Sequence, residues 1–152
     1  MLEKLFDKLF PKDISVTVRG EPTDPVVVVW LHVNGRYAAK IQCLIESDTT
    51  ILIGDIQHDE ERPKYNKGYG TMMMEKLLEF ARENHFSYIY GNLSIVDEDH
   101  KDRLHHFYRK FGFTITEYPE LQGMYYGKIE LYLNQERTER TLYENRKRQN
   151  AE

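Results

Sequence analysis

The chain has 152 residues, 40% of them hydrophobic and 30% charged, with a formal net charge of −4. That length and mix suit one domain with a real core, and the acidic balance gives no global electrostatic case for nucleic acid. The lone Cys43 excludes an internal disulfide and fits a reducing compartment. No apolar run approaches the roughly 20 residues of a membrane span. The first ten residues are too interrupted by charge for a signal peptide, so a cytoplasmic protein is expected, with no membrane partner.

In chain order, Leu2, Leu5, Phe6, Leu9 and Phe10 form one stripe, which predicts a short amphipathic helix over 1–12, stopped at Pro11. The first reading of the stripe is cover for the protein's own sheet. A homodimer contact is the second, and a membrane-surface element the third, because Glu3 and Asp7 accompany Lys4 and Lys8. The main domain is expected over 13–133. Residues 14–19 alternate apolar and polar, as a half-buried strand does. Residues 26–33 show little polarity on either face and read as a central strand. Asn34-Gly35 is a strong hairpin signal, because both turn positions require positive φ. Residues 37–46 return as the partner strand, and 50–57 complete the meander.

A charged loop over 58–66 leads into Lys67-Gly68-Tyr69-Gly70. From Gly70, the positions Met73, Met74, Leu77, Leu78 and Ala81 recur on one face of a helix running to about Asn84. Residues 87–95 form a strand, so the unit is β-α-β and its two strands are expected to be parallel. The next helix opens with acidic residues, with Asp99 as the expected N-cap. Leu104, Phe107, Tyr108 and Phe111 supply its inner face, and Gly112 ends it in a left-handed cap. A strand starts at Phe113, 118–123 read as a connecting loop, and 124–133 as the last strand. Residues 134–152 carry almost no apolar face and read as a charged helix or tail.

The glycine loop is the centre of the chemistry. The first turn of a helix has N–H groups without intrahelical partners and partial positive charge, and glycines let an anion approach them closely. The loop matches neither a P-loop nor a dinucleotide fingerprint, since Met73 stands where the third glycine of the latter belongs. Taken alone, this G-x-G is more often a tight turn than an anion cradle. Tyr108 taken alone is more often a core residue. Asp97, Asp99 and Asp102 lack the glycine and distal glutamate of a calcium loop, and His105-His106 are adjacent rather than spaced for chelation, so no metal is implied.

Two motifs in order change these odds. Tyr65-Asn66-Lys67-Gly68-Tyr69-Gly70 is similar to an [RQ]-x-x-G-x-[GA] loop, and Phe107-Tyr-Arg-Lys-Phe-Gly-Phe113 is similar to an L-Y-x-x-x-G-F helix end. Together they resemble the GNAT superfamily of acyl-CoA N-acyltransferases, over roughly residues 14–133. The resemblance implies an α/β fold with a mixed sheet: an antiparallel N-terminal meander, then β-α-β-α-β-β, with the two central parallel strands splayed apart. It implies an N-acetyltransferase that moves an acetyl group from acetyl-CoA to a primary amine acceptor. A non-catalytic CoA-binding sensor or scaffold of the same fold is the alternative.

The resemblance also assigns roles. Backbone N–H groups from Lys67, Gly68, Tyr69, Gly70 and Thr71 would hold the CoA pyrophosphate, with Lys67 and Lys64 adding charge. Ile56 and Gln57 would line the pantetheine arm, an N–H near Ile56 holding the thioester oxygen. Tyr108 would be the general acid. Asp55, His58 and Glu60, at or just past the end of the strand lining the site, are the candidate bases, with a water relay as an equal option. Three features depart from the family. Tyr65 stands where Arg or Gln is usual, an asparagine usual near Lys101 is absent, and the helices that often wall the acceptor site between the first two strands are missing.

Overall fold

The computed structural model describes residues 2, 13–59, 68–133 and 146–150. The helix expected over 1–12 and most of the charged segment 134–152 lie outside the described residues. Within the latter, residues 146–150 are helical and exposed.

Seven strands form one mixed sheet in the order β1-β2-β3-β4-β5-β7-β6. The meander comprises β1 (Ile14–Arg19), β2 (Val26–Val33), β3 (Arg36–Ile45) and β4 (Thr50–His58), each antiparallel to the last. Asn34 and Gly35, with φ of 52° and 78°, make the tight turn between β2 and β3. Helix α1 (Tyr69–Glu83) connects β4 to β5 (Tyr88–Ser94), and these two strands are parallel. A 3-10 turn, Ile95–His100, then leads into α2 (Lys101–Lys110), β6 (Thr114–Gln122) and β7 (Tyr125–Tyr132).

Two expectations need correction. Asp99 does not cap α2: the acidic stretch winds into the 3-10 turn, whose cap is Ser94, its hydroxyl accepting from the Val96 N–H. The α-helix proper starts one turn later, after His100, without a side-chain cap. Residues 118–123 are not a loop either. β6 runs through Pro119 to Gln122, and an irregular register between Glu117 and Gln122 absorbs the proline at this sheet edge.

One face of the sheet carries the core. Val29, Leu31, Ile41, Cys43, Ile51, Ile89 and Ile129 point to it and meet Met73, Met74, Leu77, Leu78 and Ala81 of α1, with Tyr108 and Phe113 from the second crossover. Full burial of one such apolar side chain is worth about 2 kcal/mol, so the 3.6-residue stripe of α1 is what fixes the helix on the sheet. Burial pushes the Cys43 thiol up to about 12, consistent with a small core residue. The opposite face carries Trp30, Lys40, Gln42, Tyr88, Tyr90 and Tyr132, all half-buried or exposed. No described helix is long and apolar enough to cross a membrane.

The parallel pairing of β4 with β5 is short. It spans Thr50↔Tyr88 to Ile53↔Gly91 and stops. Beyond that, β4 pairs only with β3 and β5 only with β7, so the two central strands part. A β-bulge sits at the parting point. Gln42 opposes Asp55 and Cys43 opposes Ile53, leaving Gly54 as the extra residue. The bulge sets the faces downstream: Ile56 and His58 stay on the core face, opposite Ile41 and Ala39, while Asp55 and Gln57 lie on the outer face.

Candidate functional site

The N-terminus of α1 is built to receive negative charge. Gly68 takes the left-handed conformation (φ 74°) that an L side chain resists, and the first helical bond runs from the Met72 N–H to the Gly68 carbonyl at 3.0 Å. The N–H groups of Tyr69, Gly70 and Thr71 therefore precede the helical ladder. Among the described residues no side chain caps them, and no acidic residue occupies the first turn. A Cβ on Gly70 would lie 3.2 Å from the Phe107 ring, so this glycine lets α2 close against the start of α1.

These groups open onto a cleft of about 540 Å³ on the helix side of the sheet. Ile56 and His58 of β4 form one wall, Gly68 to Thr71 the floor, and Asp97, His100, Arg103, Leu104, His106, Phe107 and Lys110 the far wall. Arg103, Phe107 and Lys110 fall at i, i+4 and i+7, one stripe of α2. The Lys110 ammonium donates to the Thr71 hydroxyl at 2.7 Å, tying the two helices across the cleft floor. A helix start of this kind, backed by Lys110 and Arg103, suits a phosphate-bearing group, and the cleft extends from it to Ile56 and His58, on β4 beyond its pairing with β5.

Tyr108, next to Phe107, turns away from that stripe into the core. It is 6% exposed and meets Phe107 and Phe113 edge-on, with ring centroids 5.3 and 5.4 Å away. Burial raises the phenol's pKa, and the nearby Asp97, Cys43 and Asp55 raise it further. Asp55 accepts a 2.9 Å hydrogen bond from the Gln57 amide on the outer face of β4. The Tyr37 phenol is also raised, by burial first and then by Asp59 and Asp55.

The structure thus gathers Ile56, His58, Gly68, Tyr69, Gly70 and Thr71 around one cleft. Asp55 and Gln57 sit on the other side of the same strand, and Tyr108 lies in the core beside them. Glu60, Lys64 and Lys67 fall outside the described residues. The α2 contribution was not anticipated: Arg103, His106 and Lys110 had no assigned role, and Asp97 was read only as part of a helix start. The spacing of Arg103, Phe107 and Lys110 was the available signal. As expected, His105 and His106 diverge. His106 faces the cleft, while His105 is 7% exposed, its Nε2 2.9 Å from the Tyr126 hydroxyl. Among the described residues, no group of three or more His, Cys, Asp or Glu side chains is placed to hold a metal ion.

Comparison with known proteins bears on the fold that carries this cleft. A crystal structure of a GNAT family acetyltransferase from Elizabethkingia anophelis with acetyl-CoA bound superposes with a TM-score of 0.60, at 15% identity, covering 79% of this chain and 98% of that one. The Campylobacter jejuni N-acetyltransferase PseH in complex with acetyl coenzyme A gives a TM-score of 0.53 at 15% identity, covering 72% of this chain and 69% of that one. At such identities the likeness concerns the fold. YocC, an uncharacterized protein of Bacillus subtilis (strain 168), is 35% identical over 68 residues, a match spanning 45% of this chain and 38% of that protein. Residues 17–113 match the acetyltransferase (GNAT) family, and the chain belongs to it.

Proposed function

We propose that the protein is an N-acetyltransferase that transfers an acetyl group from acetyl-CoA to a primary amine. The observation that carries this is the cleft itself, which joins the acid-free start of α1 to Ile56 and His58, on the stretch of β4 beyond its pairing with β5. When bound, acetyl-CoA supplies an acetyl group activated as a thioester. The Tyr69, Gly70 and Thr71 N–H groups hold its pyrophosphate, with Lys110 and Arg103 adding positive charge from α2; Lys64 and Lys67, just before Gly68 in sequence, are further candidates for that charge. This α2 charge offsets the Tyr65 departure. Ile56 and Gln57, on the stretch of β4 that no longer pairs with β5, flank the pantetheine arm.

The amine reaches the thioester through the gap from the outer face, where Asp55 lies. Asp55, held by the Gln57 amide, takes the proton as the N–C bond forms; His58 and Glu60 are the remaining candidates for this role. Tyr108 gives a proton to the departing sulfur as the C–S bond breaks, leaving an amide and free thiol. Its raised pKa keeps the phenol protonated through the neutral range.

The burial of Tyr108 favours a second reading, a CoA-binding sensor or scaffold without turnover. Calorimetric titration with acetyl-CoA, followed by a thiol-release assay over an amine panel, separates the two. Binding with amine-dependent release is the expected result. Binding without release from any amine selects the second reading, and no binding sinks both.

A further inference from the structure

The outer face around the gap has a chemistry of its own, and it bears on the acceptor, resting on the acetyltransferase reading above. On the β4 side stand Asp55 and Gln57. On the β5 side stand Asn92 and Ser94, and Ser94 is paired with Tyr125 of β7. Directly opposed residues share a face, so Tyr125 lies on the outer face beside the opening. The Ile95 N–H donates to the Met124 carbonyl at 2.9 Å, which fastens the β6–β7 hairpin tip to the residue following β5. Two large apolar side chains of this hairpin end are left in solvent: Met124 at 55% and Tyr125 at 43%. Exposed large apolar groups next to one another in the chain offer an apolar contact surface.

Charge narrows what can lie there. Several outer-face charges have partners of their own. Glu130 is held by Tyr88, Tyr132 and Lys128, and Glu46 by the Tyr90 phenol. Lys40 and Arg19 sit over the Trp30 ring at 5.1 and 5.5 Å. At the gap itself, Asp55 accepts its hydrogen bond from a neutral amide. A carboxylate held by a neutral amide, on the face that also carries the exposed Tyr125 ring, complements one positive charge carried on an apolar body.

We propose that the acceptor is a primary amine attached directly to an apolar group. Its ammonium meets Asp55 before losing a proton, and its apolar part lies on Tyr125 and Met124. Both a free arylalkylamine and a peptide with an apolar N-terminal residue carry this chemistry. A polyamine or aminosugar does not, because its further charges and hydroxyls would face the apolar rim without partners.

The test measures acetyl-CoA-dependent thiol release with 2-phenylethylamine, a leucine-initiated tripeptide amide, ethanolamine and spermidine. One of the two apolar amines should exceed ethanolamine and spermidine in kcat/KM by about tenfold or more, and whichever is faster identifies the source. Tyr125→Ser should erase that preference through KM rather than kcat, with the acetyl-CoA Kd unchanged. Met124→Ser, at the hairpin turn, repeats the test should the first variant misfold. Turnover of spermidine or ethanolamine as fast as the apolar amines overturns this inference alone, and so does a preference untouched by both variants. Acetyl-CoA binding without release from any amine overturns the acetyltransferase reading and this inference with it.

Discussion

The Lys110 ammonium and the Thr71 hydroxyl meet at 2.7 Å, so the last turn of α2 is fastened to the first turn of α1. A cation there serves two helix ends at once. It is favoured by the dipole at the end of α2, and it adds positive charge beside the open N–H groups at the start of α1. The same ammonium sits 5.1 Å from the Phe111 ring, which helps to hold it in place.

Lys110→Met keeps most of the side-chain volume and removes the charge. It should weaken acetyl-CoA binding by roughly tenfold, the worth of one charge-assisted contact. Calorimetry at low and high salt checks this: the wild-type affinity should fall more with salt than the variant's does. Equal affinities would leave the contact as a helix tie only.

Tyr108→Phe leaves the ring in its aromatic contacts and removes the hydroxyl. If the phenol donates to the departing thiolate, kcat should drop on the order of 10²-fold, with the acetyl-CoA Kd nearly unchanged. Because burial and the neighbouring carboxylates raise its pKa, Tyr108 should impose no loss of rate up to about pH 9 in the wild type. An unchanged kcat would return Tyr108 to the core alone.

Gly127→Ala tests the sheet rather than the chemistry. A Cβ at Gly127 would run into the Thr116 carbonyl oxygen and approach the Glu117 Cα at 3.2 Å. Backbone on the neighbouring strand cannot step aside as a side chain can, so the cost should be about 3 kcal/mol. The urea midpoint should fall accordingly. A midpoint within error of wild type would mean that β6 and β7 shift apart at little cost.

His105 makes stability depend on pH. Burial lowers its pKa below the ordinary 6.5, with Glu117 and Asp102 opposing and Lys101 and Arg109 reinforcing the shift. The unfolded chain then binds the proton more readily than the folded one, so stability is complete above about pH 6.5 and falls on acidification towards the lowered folded value. Below that value the slope from His105 ends. Urea midpoints between pH 8 and 5 should decline over this window in wild type and less so in His105→Gln, which retains a hydrogen-bonding partner for Tyr126. Identical slopes would assign the pH dependence to other groups.

Much of this architecture was legible because its signals are local and periodic. The stripe Met73, Met74, Leu77, Leu78, Ala81 and the turn at Asn34-Gly35 state their own geometry. Two motifs one strand apart, around Gly68 and Tyr108, were enough to indicate the family. What escaped depends on partners distant in sequence. The residues after Ser94 look like a helix start, yet the Met124 carbonyl holds Ile95 and the chain winds into a 3-10 turn first. Pro119 reads as loop chemistry, but at a sheet edge its missing N–H costs little. Arg103 and Lys110 look like the solvated side of α2 until α1 is set against it. The side of β4 on which each residue falls depends on one bulge that no periodicity announces.

That bulge has a wider consequence. Ile53 and Ile56 are three residues apart, an odd offset that a regular strand would send to opposite faces. Gly54, opposed by no residue of its own, restores the phase, and it does so where β4 stops pairing with β5. A chain with Gly54 deleted would still present Asp55 outward and Ile56 and His58 inward, because regular alternation from Ile53 gives the same result. It would lose only the bend, and with it the reason for β4 to leave its neighbour. The parting of β4 from β5 is therefore encoded as a surplus of one residue, separately from the groups on either face, and could be undone without changing any of them.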